Sequence, residues 1–243
     1  MINFELIKNI DVNNSQSWQD KIFLTFDIDW CSNEVLSYTL DILEEHNIKA
    51  TFFVTHETKL LDRIRDNKYI ELGIHPNFNP LLNGDFRYGR TIDGVIEYYK
   101  NIVPESVSVR SHSLTNNSII SKVFRKYGLK YECNQYIPKN STIIVKPYNH
   151  WEDNLVNVPH FWEDDLHIIY NDTFDSNKYI KYEGIKVFDF HPIHLFLNTD
   201  ELSTYENARS NFSNYTKLKK QKNTTNNGIE NNFLNLIKEV QNG

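Results

Sequence analysis

The sequence has few cysteines, few glycines and prolines, and no long apolar run. Its 243 residues include 2 Cys, 8 Gly and 7 Pro, which excludes a disulfide scaffold, a cysteine-rich zinc module and a collagen-like chain. No stretch approaches about 18 consecutive apolar residues, so no membrane span is predicted. The chain also lacks an excess of basic residues, since 26 Lys and Arg against 32 Asp and Glu give a net charge of −6. This charge argues against binding to nucleic acid.

The hydrophobic residues that are present suffice for a real core. They make up 40% of the chain, so the composition indicates a globular protein rather than a disordered one. The length fits one large domain, and we expect a single domain over residues 1–243. The first residues, Met1 to Glu5, lack the basic and apolar regions of a secretory signal, so a cytoplasmic location is expected.

Short apolar runs alternate with amphipathic stretches along most of the chain. Strands are predicted over Lys21–Trp30, Ala50–Thr55, Tyr69–His75, Val107–His112, Lys130–Ile137, Leu155–Pro159 and Ile185–His191. Helical stripes follow several of them, as with Leu36 and Leu40 after an expected N-cap at Asn33. Residues 217–228 are polar and basic and are predicted to form a mobile loop, which precedes a C-terminal helix over about residues 229–241.

This alternation of strands and helices predicts an α/β fold with a mostly parallel sheet. About seven such units indicate a barrel or a partial barrel. In barrels of this type the chemistry lies at the C-terminal ends of the strands. We therefore expect polar residues to collect at those ends.

The first predicted strand ends in two carboxylates. Because side chains alternate along a strand, Asp27 and Asp29 are expected on one face. Burying an unpaired charge costs several kcal/mol. Two carboxylates at this position therefore require a metal, another cation or a shared proton.

Other strand ends contribute polar residues of complementary types. They are His75 on the third strand, Arg110 and His112 on the fourth, and Asp189, His191 and the nearby His194 on the seventh. Each alone has a structural explanation, such as an ion pair for the arginine or a hydrogen-bonded core histidine. Their joint occurrence at the same rim favours a divalent metal site that keeps open positions for water and substrate.

These residues resemble the motifs of polysaccharide deacetylases of the NodB-homology type, carbohydrate esterase family 4. The resemblance is closest to the branch associated with bacterial surface-polysaccharide gene clusters, and it runs from about Ile22 to Leu197. It implies a deformed (β/α)7 TIM-like barrel, which agrees with the number of predicted strands.

The first two family motifs imply a catalytic base and metal ligands. Residues 25–29, Thr-Phe-Asp-Ile-Asp, are similar to the motif Thr-Phe-Asp-Asp-Gly, which implies that Asp27 is the base and Asp29 a metal ligand. His75 begins a segment similar to the motif His-Ser/Thr-x-x-His, in which Asn79 occupies the position of the second histidine. The resemblance thus implies His75 and Asn79 as further ligands.

The remaining motifs imply residues around the reacting group. Arg110 matches the arginine that orients the base, and Trp162 is the candidate for the tryptophan that lines the substrate groove. His191 matches the general acid at the end of the last strand. Asp189 or Asp164 is expected to set the tautomer of that histidine, as carboxylates next to catalytic histidines often do.

Several assignments stay open at this point. The third metal ligand is Asn79, His112 or His194, because an amide oxygen is a poorer zinc ligand than imidazole. His194 is also the alternative general acid. Trp30 and Trp162, with His112 and His194, are expected to contact the substrate. Zinc is the expected metal, with cobalt, iron, nickel and manganese as alternatives.

The expected function is metal-dependent hydrolysis of an acetyl or related acyl group on a sugar in surface-polysaccharide biosynthesis. A nucleotide-linked or lipid-linked sugar is the expected substrate, because a cytoplasmic enzyme does not reach finished surface polymer. The alternatives are an allantoinase-like or formamide C–N hydrolase, and a catalytically silent sugar-binding domain.

Overall fold

The computed structural model describes residues 2–138, 140–151, 155–225 and 227–243. The strands are β1 Asn3–Phe4, β2 Lys21–Asp27, β3 Ala50–Val54, β4 Ile70–Ile74, β5 Ser108–Val109, β6 Tyr131–Glu132, β7 Tyr148–Asn149, β8 Val156–Asn157, β9 Trp162–Glu163 and β10 Lys186–Phe190. The α-helices are α1 Asn33–Glu45, α2 Leu61–Asp66, α3 Asn79–Leu82, α4 Ile92–Ile102, α5 Ser118–Lys126, α6 Asp164–Tyr170, α7 Ser176–Ile180, α8 Pro192–Leu197, α9 Leu202–Ala208, α10 Tyr215–Lys219 and α11 Ile229–Asn242. No helix in these described ranges is long and apolar enough to cross a membrane.

Helix α1 shows how the sequence pattern becomes structure. Its N-cap is Ser32, whose hydroxyl accepts a hydrogen bond from the Val35 amide at 3.4 Å. The cap therefore lies one residue before the Asn33 expected from the sequence. Leu36 and Leu40 are fully buried on the predicted stripe, because residues four apart share one face of a helix.

The sheet is parallel except at one edge. β2 lies near its middle and pairs in parallel with β3 on one side and β10 on the other. Beyond β3 the order continues through β4, β5, β6 and β8, and β7 runs antiparallel to β8 at the edge. Parallel strands require crossover connections, and most of the helices supply them.

Residues 156–163 connect the two ends of this sheet. The segment begins as β8 beside β6 and ends as β9 beside β10. Between these pairings the His160 amide donates to the Gln135 carbonyl at 2.9 Å, and the Phe161 amide donates to the Val187 carbonyl at 3.3 Å. The sheet thus curls into a deformed barrel with helices around it, and the predicted fold class is confirmed.

The C-terminal helix covers the contact between the first and last long strands. α11 begins at Ile229 and ends at Asn242, close to the predicted bounds. Its Phe233 ring packs edge-on against Phe26 of β2 at 5.8 Å and Phe190 of β10 at 5.0 Å. One helix therefore packs against both β2 and β10, the two strands that carry most of the candidate site.

The segment before α11 differs in part from the predicted loop over residues 217–228. Residues 217–219 belong to helix α10, because the Asn214 side chain caps its first turn and Leu218 is buried. Farther along, the Asn198 amide group donates to the carbonyls of Asn223 at 3.2 Å and Thr225 at 3.0 Å. Asn226 lies outside the described residues.

Candidate active site

The site begins in a turn directly after β2. The strand ends at Asp27, so Asp29 lies in the turn rather than on the strand face where the sequence pattern placed it. Asp29 and Trp30 both have left-handed backbone conformations, with φ of 32° and 54°. Such conformations cost about 1–3 kcal/mol each for residues with side chains and cluster at functional sites. A hydrogen bond of 3.1 Å from the Trp30 amide to the Thr55 hydroxyl supports the turn.

Three side chains meet at this turn through one ligand atom each. His75 Nε2 lies 3.4 Å from Asp29 Oδ1 and 3.3 Å from His112 Nδ1. His112 Nδ1 lies 3.4 Å from the same carboxylate oxygen. The backbone that presents His112 is itself unusual, because Ser113 and Leu114 after it have φ values of 56° and 52°.

The triangle of Asp29, His75 and His112 fits a divalent metal. A tetrahedral zinc ion with bonds of about 2.0–2.1 Å keeps its ligand atoms about 3.3–3.4 Å apart. The three observed edges are 3.3, 3.4 and 3.4 Å. Asp29 Oδ1 is buried, and no group in the described part of the chain donates a hydrogen bond to it. Two imidazoles and one carboxylate also form a donor set typical of zinc. Three protein ligands leave a fourth coordination position open for water or substrate.

The electrostatics of Asp29 suit this arrangement. Burial raises the pKa of its carboxyl, but the facing rings of His112, His75 and His191 outweigh burial and hold that pKa well below the usual range. The carboxylate is therefore ionised at neutral pH. Burial, in turn, lowers the pKa of His75, despite the charges of Asp27 and Asp29, which favours a neutral ring able to ligate a metal.

The other candidates for third ligand lie elsewhere. Asn79 begins helix α3, and its side chain donates to the Ser113 hydroxyl at 3.2 Å, at the protein surface. His194 has both ring nitrogens engaged, by Asp165 at 2.7 Å and by the Thr199 hydroxyl at 3.1 Å. Asn79 is thus engaged by Ser113, and His112 rather than Asn79 completes the triangle with Asp29 and His75.

Arg110 lies fully buried beneath the triangle. Its Nη1 donates to Asp27 at 3.0 Å and also contacts the Asp189 carboxylate. Its Nε donates to the Cys133 carbonyl at 3.1 Å, and the guanidinium lies over the Phe53 ring at 4.7 Å. One cation therefore holds two buried carboxylates, one of which is the predicted base.

Asp189, one of the two aspartates that share Arg110, has a perturbed pKa. Burial raises the pKa of Asp189 well above its usual value, and the Asp27 charge adds to this effect against the attraction of Arg110. Asp189 also lies near His191, since ligand atoms of Asp27, Asp189 and His191 are all within 4.8 Å of one another.

Asp164 is the carboxylate that orients His191. Its Oδ1 accepts a hydrogen bond from His191 Nδ1 at 2.7 Å, and its Oδ2 accepts one from the His191 backbone amide at 2.6 Å. The other ring nitrogen, Nε2, faces Asp29 Oδ2 at 3.7 Å. Burial lowers the pKa of His191, but the charges of Asp164, Asp165 and Asp29 raise it well above its usual value. The ring is thus a proton donor aimed at the triangle.

The two predicted tryptophans have different environments. Trp30 is 40% exposed, and its ring packs edge-on against His112 at 5.1 Å. Trp162 is buried in the core, 4.8 Å from the Phe190 ring. The placement of Trp162 differs from the expectation of a groove wall, because neighbouring β9 residues alternate and this one faces the helices around the barrel.

A cavity of about 370 Å³ opens beside the triangle. Its lining includes the predicted Asp29, Trp30, His112, His191 and His194, together with Asp165, Tyr205, Arg209 and Phe212. Asp165 is the second residue of α6, and the other three come from α9 and the residues after it. No sequence motif indicated Tyr205, Arg209 or Phe212, because they come from a segment with no strand-end pattern, whereas Asp165 directly follows the Asp164 that the sequence indicated.

The chain is similar to known polysaccharide deacetylases. Residues 24–209 match the sequence profile of a family described as WbmS-like polysaccharide deacetylase. The crystal structure of WbmS from Bordetella bronchiseptica, a candidate polysaccharide deacetylase involved in O-antigen biosynthesis, matches with 41% identity over 98% of each chain and a TM-score of 0.92. A family 4 carbohydrate esterase from Streptomyces lividans, in complex with acetate, matches with 17% identity over 70% of this chain and 78% of that chain and a TM-score of 0.45. No curated protein matches the chain.

Proposed function

Because the chain belongs to the WbmS-like polysaccharide deacetylases, we propose that it removes an acetyl group from a sugar during synthesis of a bacterial surface polysaccharide. We propose further that the reaction depends on a divalent metal. The observation that carries this proposal is the triangle of Asp29, His75 and His112, with edges of 3.3 to 3.4 Å.

Asp29, His75 and His112 would hold the metal, and zinc suits them best. The bound ion would polarise the acyl carbonyl and acidify a water molecule. This assignment replaces Asn79 with His112 as the third ligand. It also removes the main reason for considering a silent sugar-binding domain, since the chain supplies a second imidazole from another strand end.

Asp27 is the proposed general base. Its Oδ1 is held by Arg110 at 3.0 Å, and its Oδ2 lies 3.5 Å from His75 Nδ1, beside the triangle. The buried guanidinium places a positive charge in direct contact with this carboxylate. Asp27 can therefore take the proton of the attacking water while Arg110 fixes its orientation.

His191 is the proposed general acid. The hydrogen bond from its Nδ1 to Asp164 leaves the Nε2 proton directed toward the triangle. That proton would go to the leaving amine or alkoxide as the acyl bond breaks. His194 is less suited to this step, because Asp165 and Thr199 engage both of its nitrogens.

The test combines metal analysis with product analysis. We expect chelation to abolish acetate release from a panel of N- and O-acetylated sugars, and zinc to restore it. His112→Ala should weaken zinc binding by more than the roughly 100-fold that loss of an outer-shell partner costs. Asn79→Ala is the matched control and should leave the zinc affinity within about threefold of the starting protein, since the Asn79 side chain donates its hydrogen bond to Ser113.

Several outcomes would contradict the proposal. Equal loss of zinc in the two variants would refute the ligand assignment. Acetate release that survives chelation would refute metal dependence. Hydrolysis of cyclic amides or formamides in place of acetylated sugars would favour the C–N hydrolase alternative.

A further inference from the structure

Arg209 is a cation in the wall of the cavity without a protein partner. It forms no ion pair or side-chain hydrogen bond with any residue in the described part of the chain. The acidic groups of the cavity are already opposed by histidines, since Asp29 faces His75 and His112 and Asp165 pairs with His194 at 2.7 Å. The positive charge of Arg209 is therefore available to a ligand.

The backbone fixes where this charge lies. The residue before it, Ala208, is fully buried in an apolar cluster with Val35, Phe196, Leu197 and Leu218. Arg209 then opens a short 3-10 turn that ends at Asn211. The guanidinium thus extends from a packed helix end rather than from a free loop, so little backbone ordering is needed when a ligand binds.

Aromatic rings flank the same part of the cavity. The Tyr205 ring packs 4.8 Å from His194 and 5.3 Å from Phe212. Burial raises the pKa of the Tyr205 hydroxyl, and the nearby Arg209 charge partly counteracts it. Together with Trp30, these rings offer apolar faces of the kind that stack on sugars, with the guanidinium beside them.

We propose that Arg209 binds an oxyanion of the substrate, so that the acetylated sugar is recognised in an anionic form. A guanidinium pairs with carboxylate or phosphate oxygens through two parallel hydrogen bonds. The anion is either the carboxylate of an acidic sugar or the phosphate that links the sugar to a nucleotide or lipid carrier. A cavity of about 370 Å³ lies in the size range of small-molecule sites. This inference rests on the proposed deacetylase function.

Binding can be measured without turnover. Calorimetry on the zinc-loaded protein would compare glucosamine, glucosamine 1-phosphate and glucosaminuronic acid. We expect one of the two anionic ligands to bind roughly 10- to 100-fold more tightly than glucosamine. Arg209→Gln should remove that preference and Arg209→Lys should keep part of it. Lys219→Gln, which removes an exposed cation that does not line the cavity, should leave it unchanged.

The two anionic ligands distinguish the source of the oxyanion. A gain confined to the phosphate identifies the carrier, and a gain confined to the carboxylate identifies an acidic sugar. If glucosamine and both anionic ligands bind with equal affinity, or if none of them binds, the inference is overturned. So does a preference that survives Arg209→Gln.

A parallel measurement separates this inference from the proposed function. Acetate release from the N-acetylated forms of the same three ligands would show the same Arg209-dependent preference in kcat/KM. If acetate is released from neutral and anionic sugars at equal rates, only the inference about Arg209 fails. If no acetylated sugar is hydrolysed, the proposed function fails, and the binding experiment still decides the role of Arg209.

Discussion

Replacement of Arg110 by methionine is expected to destabilise the fold strongly. The side chain is fully buried, and its Nη1 contacts the carboxylates of both Asp27 and Asp189 as well as the Thr25 hydroxyl at 2.9 Å. Methionine fills a similar volume but supplies no charge and no donor. Two carboxyl groups would then remain inside the barrel without their shared cation.

The magnitude follows from this burial. Removing one partner of a buried ion pair costs about 3–5 kcal/mol, because the remaining charge is left unpaired in a poorly polarisable interior. For a chain of this size, 1 kcal/mol corresponds to roughly 2–4 °C in Tm. We therefore expect the Tm of Arg110→Met to fall by roughly 6–20 °C. Adding Asp189→Leu should recover part of the loss, since one of the two unpaired carboxyls is removed.

Arg63 provides a matched control on the surface. Its guanidinium contacts Asp41 at 2.6 Å and Glu44 at 2.7 Å, but the side chain is 31% exposed. Exposed ion pairs contribute only about 0–1 kcal/mol, so Arg63→Met should change the free energy of unfolding by no more than that. Urea denaturation at pH 7 measures both variants. Equal losses at the two positions, or a loss below about 1 kcal/mol for Arg110→Met, would refute the reasoning.

Three further predictions concern single side chains. Burial raises the pKa of Glu71, so the folded state binds its proton more tightly than the unfolded state does, and the contribution of this group to stability is lost as pH rises above about 4.5. Glu71→Gln should therefore reduce the loss of stability between pH 5 and pH 8 in urea denaturation, and an unchanged loss would contradict the assignment. A Cβ at Gly228 would lie 2.2 Å from the Asn198 carbonyl oxygen, so Gly228→Ala should cost about 1–3 kcal/mol, measured by denaturation. Asp164→Asn removes the charge that contributes most to raising the pKa of His191, so the basic limb of the kcat/KM profile should move to lower pH, and a limb that stays in place would exclude His191 as the acid.

The strand-end pattern was a good guide to part of the site. Asp27, His75 and Arg110 end or follow strands of strong apolar character, and the structure brings them together as the parallel barrel requires. Period-two alternation fixes the face of such residues once the strand is recognised. This signal fails where a strand ends early, as at Asp29, whose position depends on two left-handed residues that no periodicity predicts.

The third ligand of the proposed metal site shows a different limit. The sequence leaves the third ligand open among Asn79, His112 and His194, and the structure shows Asn79 at the start of α3 with its side chain bonded to Ser113. His112 reaches the triangle because strands β4 and β5 are neighbours, with Ile74 paired to Val109. The sequence therefore supplies the candidates, and only the three-dimensional structure favours one of them.

The cavity wall formed by α9 and the residues after it was not predictable from local pattern. Tyr205 and Phe212 belong to a region with no strand-end signal. Only the three-dimensional structure places their rings in the wall of the cavity. The predicted loop over residues 217–228 is wrong at its start, because burial of the Leu218 side chain stabilises a short helix in a polar sequence.

The pairing of β2 with β10 has a consequence for how the protein is made. Thr25 donates to the Phe188 carbonyl at 2.8 Å across 163 positions of sequence, and the α11 helix that covers this pairing comes later still. During synthesis, the strand that carries the proposed base is therefore made long before the strand that carries the proposed acid can pair with it. Contacts of such long range make folding slow and leave strand edges open in the meantime. Until β10 has paired with β2, the proposed base and acid are not assembled, and the open strand edges favour aggregation.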